Sequence, residues 1–254
     1  MKFIFVFCFG TILGSFFSLC VERVPKGESI LHPNSHCTNC HSGLKYYDLI
    51  PILSFIKLKG KCRYCNEKIG VQHIIIEILT GIIFIILIKS FDFSLDFIKH
   101  TILFSILTIS AFIDYNTQYV FFNVSIIGII SGVLFSIIDI FNGGNILHII
   151  LSIVIPLVII ETIMFVVKKI KRIDGIGGGD LEIFLFLSLY LNLKIVLLIM
   201  YLSVILVGFI ESIKYVYGKR KKYVAFVPYI FVATFISVIF HENIINYYLM
   251  LMGV

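Results

Sequence analysis

Tryptophan is absent from this 254-residue chain, and charged residues make up only 14% of it. Without Trp, the membrane-interface anchors of an apolar protein must come from Tyr, Phe and Lys. So few charges cannot solvate a surface whose residues are 59% hydrophobic, at a mean hydropathy of +1.03. A soluble domain is therefore excluded, and the composition reads as an all-α polytopic membrane protein set in a lipid bilayer. Internal repeats and low-complexity linkers are lacking as well. The formal net charge is +6, but the basic residues sit in loops between apolar runs rather than on one basic domain. That distribution describes topology and argues against nucleic-acid binding.

Apolar runs of spanning length occupy 3–21, 73–88, 97–113, 119–141, 146–167, 181–213 and 224–240. The first has only Lys2 as a basic flank and no small-residue cleavage pattern at its end, so it reads as an uncleaved span rather than a signal peptide. The run 181–213 is interrupted by Asn192-Leu193-Lys194. It divides into a short helix and a longer one, which predicts about eight transmembrane helices. With eight spans, loops 22–72, 114–118, 168–180 and 214–223 share one side and hold 17 of the 21 Lys and Arg. The positive-inside rule makes that side cytoplasmic. A single span over 181–213 would send Lys219, Arg220, Lys221 and Lys222 to the other face.

The organisation is thus a first helix over 1–21, a cytoplasmic segment over 22–72 and a seven-helix membrane domain over 73–254. Some fifty residues are too few to fold on a hydrophobic core alone. The segment carries "CTNC" (Cys37, Cys40) and "CRYC" (Cys62, Cys65), with 21 residues between the pairs. Two such knuckles can hold one structural Zn2+ through four thiolates. Two disulfides or a redox pair are the alternatives, and a reducing cytosol disfavours stable disulfides. His36 and His41 flank the first knuckle as possible substitutes. Cys8 and Cys20, in the first span, read as buried thiols.

Two carboxylates arrive at one face. Asp114 ends the third span and Asp180 opens the sixth, after Gly177, Gly178 and Gly179. A plain reading exists, with Asp180 as a helix N-cap and Asp114 as a turn residue. The functional reading is a pair sharing one proton, the arrangement of an aspartic protease. Three consecutive glycines beside a carboxylate suit a substrate backbone pressed close to it. Glu77 and Glu161 lie within apolar helices, where a carboxylate is functional or paired. Glu77 is read as orienting the soluble segment or serving a second activity, and Glu161 as snorkelling or forming a structural pair. Pro156 and Pro228 are expected to kink or break their helices.

Along nearly its whole length the chain resembles the type IV prepilin peptidases, bacterial members of the GxGD aspartyl proteases. The resemblance is carried by "GSFFSLCVERVP" (14–25), the tetracysteine segment with "LIPILSFIKLKGKCRYC", "IIIEILTG" (74–81), "FID" (112–114), "GIGGGD" (175–180) and "VPYIF" (227–231). It implies an endopeptidase of the bacterial inner membrane, working at the cytoplasmic face. Prepilins or pseudopilins would be its substrates, cut between a short basic leader and the hydrophobic helix. It implies catalytic roles for Asp114 and Asp180, metal ligation by Cys37, Cys40, Cys62 and Cys65, and a match of Glu77 to a recurrent glutamate. Many members also methylate the new N-terminus with S-adenosylmethionine. A peptidase without the methyl-transfer activity is one alternative, since no glycine-rich cofactor fingerprint appears. A non-catalytic transporter or metal sensor is another. The chain departs from the family pattern at Val120-Phe121-Phe122-Asn123, where Leu-Pro-Asp is usual. It also has Glu182 in place of a lysine, and Ser18 in place of an asparagine.

Overall fold

The computed structural model describes residues 1–171, 177–218 and 224–252. Gly175 and the basic run Lys219 to Lys222 lie outside the described residues. Nine helices and no strand are found among those described: α1 Lys2–Arg23, α2 Leu53–Lys57, α3 Val71–Phe91, α4 Leu95–Thr117, α5 Phe122–Phe141, α6 Ile146–Lys171, α7 Gly178–Tyr190, α8 Leu193–Val216 and α9 Val227–Met252. Six of them, α1, α3, α4, α5, α6 and α8, are long and apolar enough to cross a membrane. The other two expected crossings are α7, with 13 residues, and α9, whose described apolar part is Val227–Phe240. Both apolar stretches fall short of the roughly 20 residues of a full crossing.

The chain divides into two compact units, Met1–Ile109 and Ser110–Val254. In the first, α1 and α3 pack together through glycines. A Cβ on Gly10 would stand 2.9 Å from Gly81 Cα, and one on Gly14 would stand 2.7 Å from Glu77 Cα. Gly10 and Gly14 form a small-xxx-small pair, which lets two backbones approach where lipid offers no hydrophobic drive. The spacing "GTILG" (10–14) carries that signal in the sequence. Cys20 is buried, but Cys8 is exposed, contrary to expectation. It falls on the outward stripe with Ile4 and Ile12, four residues to either side.

In the second unit α5 and α7 run parallel, held close by Gly128 under the Phe186 ring and Gly132 under Leu189 and Tyr190. Ser136 Oγ donates to Leu189 O at 2.9 Å, and Tyr190 OH donates to Ser131 Oγ at 2.7 Å. Helix α7 is buried nearly all round from Ile183 to Tyr190, which is why its apolar residues show no preferred face. The break expected at 192–194 is present: α7 ends at Tyr190, and Asn192 caps α8 by accepting from Ile195 N at 3.0 Å. Pro156 lies inside α6. Pro228 neither kinks nor breaks α9; it occupies the first turn, where a missing N–H costs nothing.

Candidate functional site

Asp114 lies three residues before the end of α4 and is 5% exposed. Its Oδ2 accepts the Val227 backbone N–H at 2.9 Å, across 113 residues of chain. Val227 is the first residue of α9, so the carboxylate meets the positive end of that helix. The role of "VPYIF" is local and physical: it presents a free N–H to Asp114. Tyr229, two residues on, donates to Glu211 Oε1 of α8 at 2.7 Å and accepts from Lys214 Nζ at 3.2 Å. Those bonds fix the start of α9 against α8. Sequence reasoning noted neither Glu211 nor Lys214.

Asp180 is not the N-cap of its helix. Gly177 holds that position, and Asp180 is the third helical residue. Its Oδ2 accepts the Gly177 N–H at 3.2 Å, while its own N–H donates to Gly177 O at 3.0 Å. This is the acidic half of a capping box, formed because a carboxylate one turn in reaches back to the orphan N–H. Asp114 lies close enough for its charge to act on Asp180. The structure therefore brings together two carboxylates that are 66 residues apart, each at a helix start rich in unpaired N–H groups.

The three glycines have separate surroundings. A Cβ on Gly179 would stand 2.5 Å from Val120 Cβ, so this residue lets α7 lie against the segment that follows α4. Among the described residues, a Cβ on Gly178 would meet nothing within 4 Å, and one on Gly177 would meet the Asp180 carboxylate at 3.8 Å. Among the described residues, the buried Glu182 Oε2 and the buried Ser125 hydroxyl of α5 have no hydrogen-bond partner. Ser18 donates to Ser15 O at 2.8 Å within its own helix.

In the first unit, Cys37, Cys40, Cys62 and Cys65 gather their sulfurs within 4.8 Å of one another, a cluster that could hold a metal ion. His36 and His41 are outside it. The two knuckles share one backbone pattern. His41 N donates to Cys37 O and Cys37 N to Ser42 O; Asn66 N donates to Cys62 O and Cys62 N to Glu67 O. His41 and Asn66 both adopt positive φ, 55° and 59°. The Ser42 hydroxyl and N–H pull Cys40 down to about 6, and the Cys65 and Tyr64 N–H groups lower Cys62. Cys65 is raised to about 11: the Glu67 N–H pulls it down, but burial and the three neighbouring sulfurs outweigh it. Thiols this close resist ionising together unless a cation joins them.

Glu77 is buried in α3, and its Oε2 accepts the Ile52 N–H at 2.8 Å, which ties the tetracysteine segment to the helix. Arg23 belongs to the stretch "GSFFSLCVERVP" (14–25) and had no role of its own assigned from sequence. It is 5% exposed and donates to Ser29 O, Pro33 O and Asn34 O, holding the chain where it leaves α1. A lone arginine at the end of an apolar span was the signal available. Glu161 is exposed on α6.

Residues 8–91 match the model of the bacterial peptidase A24 N-terminal domain, and residues 101–211 match that of the type IV leader peptidase family. Among curated proteins, the chain is similar to a prepilin leader peptidase/N-methyltransferase of Bacillus subtilis (strain 168). It is 26% identical to that protein over 249 residues, 96% of each chain. A protein of the same name from Vibrio cholerae serotype O1 is 27% identical over 224 residues, 81% of this chain and 85% of the relative. Another from Myxococcus xanthus is 26% identical over 197 residues, 76% of this chain but only 57% of that longer relative. No solved structure matches.

Proposed function

The chain belongs to the type IV leader peptidase family, and from that premise we propose that Asp114 and Asp180 are its catalytic pair. One observation carries the reading: two carboxylates distant in sequence each accept a backbone N–H at a helix start, Asp180 from Gly177 at α7 and Asp114 from Val227 at α9. Neighbouring carboxylates that share one proton can act as base and acid in the same step. The ionised carboxylate takes a proton from water as its oxygen attacks the scissile carbonyl. The protonated partner donates to the carbonyl oxygen, giving a gem-diol. Proton transfer to the amide nitrogen then lets the C–N bond break, and the carboxyls return to their starting state.

The substrates we assign are prepilins or pseudopilins, cut between the basic leader and the hydrophobic helix. Gly177 and Gly178, which meet no crowding among the described residues, suit a substrate backbone lying against the pair. The active face is assigned to the cytoplasm of the inner membrane from the Lys and Arg asymmetry. The functional division is a first helix over 1–21, a metal domain over 22–72 and a protease domain over 73–254.

We assign zinc to the four cysteines. Zn–S bonds of about 2.3 Å set tetrahedral sulfurs about 3.8 Å apart, and Cys37 Sγ and Cys65 Sγ are 3.8 Å apart. All four positions are sulfur, so the ion is structural and supplies folding energy rather than chemistry. Methylation of the new N-terminus, with S-adenosylmethionine as methyl donor, is a second activity suggested by the relatives' names. No residue is assigned to binding that donor.

Asp114→Asn, Asp180→Asn and the double variant test the pair. Each single change should cut cleavage of a co-expressed prepilin by about 100-fold or more, and the double should add little, because the two act as one unit. Mass spectrometry reads cleavage and methylation together, and thermal unfolding checks the fold. Near-normal cleavage by Asp180→Asn would reduce that residue to a capping role.

A further inference from the structure

The segment from Lys45 to Lys61 carries more exposed apolar surface than a water-facing loop tolerates. Leu49 and Ile50 are 40% and 44% exposed, and Leu53 and Ile56 of the short helix α2 are 65% and 63%. These values match Ile12, Ile75 and Ile82 on the outer faces of α1 and α3, at 58%, 48% and 45%. Lys45, Lys57, Lys59 and Lys61, which flank these residues in sequence, are all exposed. The nearby acid, Asp48, is engaged by Arg63 at 2.6 Å with its side chain 2% exposed, so it does not offset those charges.

The anchor fixes the depth of this ridge. Glu77 is four residues into the apolar run that begins at His73, and about 9 Å along α3 from Val71. A helical side chain leans toward the N-terminus of its helix, so the Glu77 carboxylate reaches back to the first turns of α3. Ile52, whose N–H it binds, is held at that level, between Ile50 and Leu53. The ridge thus starts where the lipid-facing surface of α3 starts.

We propose that Leu49, Ile50, Leu53 and Ile56 insert into the headgroup–acyl boundary of the bilayer, with the four lysines on anionic lipid headgroups. The metal domain then lies on the membrane instead of projecting into water. Apolar side chains beside a basic rim are what an interfacial segment requires. Glu77 gains a backbone partner that satisfies a carboxylate otherwise stranded in an apolar run.

Because the chain has no tryptophan, a single one reports its own surroundings. Leu53→Trp and Ile56→Trp, with Glu67→Trp as an exposed control on the second knuckle, would be placed in phosphatidylglycerol–phosphatidylcholine vesicles. In each case the full chain is used. At 53 and 56, lipid brominated near the headgroup end of the acyl chain should lower emission about twofold, and iodide should quench about threefold less than at 67. Position 67 should respond to iodide only. Iodide quenching at 53 and 56 equal to that at 67 overturns the proposal. So does blue-shifted emission that brominated lipid leaves untouched, because protein would then cover the ridge. The Ile56→Trp variant keeps the test valid if Leu53→Trp fails to fold.

Discussion

Gly179→Ala tests the packing that sets Asp180 in place. The added Cβ would stand 2.5 Å from Val120 Cβ and 2.9 Å from Val120 Cγ2, where ordinary contact begins at 3.4 Å. One segment must therefore move by about 1 Å, at a cost of about 1–3 kcal/mol for overpacking. The moving residue adjoins Asp180, and a 1 Å misplacement of a catalytic group costs about 100-fold in rate. Prepilin cleavage should fall by that order, with a lowered Tm. Val120→Ala should not rescue it, because the Val120 Cβ remains 2.5 Å away. Val120→Gly should restore most of the rate, since it removes the Cβ, at a cost of about 0.5–1 kcal/mol in chain entropy. A Gly179→Ala enzyme with parental rate and Tm would refute the contact. Rescue by Val120→Ala as complete as by Val120→Gly would show that the obstacle is not this Cβ.

Metal analysis should find about one zinc per chain, as one tetrahedral site requires. Cys62→Ser should release it and open residues 37–65 to protease, and full retention by the Cys37→Ser/Cys62→Ser double variant would refute the assignment. Glu182→Met removes the buried, unpartnered Oε2 and should stabilise the protein by about 1–3 kcal/mol in thermal unfolding; a loss of stability would show that the oxygen has a partner. For sidedness, a cysteine at Lys45 should react with an impermeant thiol reagent from the cytoplasm and one at Phe93 from outside, and the reverse pattern would invert the topology.

Local features of the sequence determined a good deal. Runs of apolar residues set the helices, because in lipid the backbone can satisfy its own hydrogen bonds only that way. Asn192 foretold the break between α7 and α8, since its side chain caps whichever helix follows. The paired CxxC spacings foretold the four-sulfur cluster, because each knuckle closes over a few residues. Even Gly10 and Gly14 announced a close helix contact, though not with which helix.

Tertiary structure alone decided lateral neighbours and the direction of single side chains. Asp180 reaches back to Gly177 from one turn inside α7, where the sequence suggested a cap. Asp114 depends on an N–H 113 residues away, and no local pattern could link it to Val227. Gly179 makes room for Val120, and Cys8 faces outward although its helix is apolar all round. In a soluble protein, an apolar stripe marks the face a helix buries. Lipid is as apolar as leucine, so these helices carry little such stripe, and small residues and polar contacts choose the partners instead. Those contacts join residues far apart in the chain, and only the packed molecule reveals them.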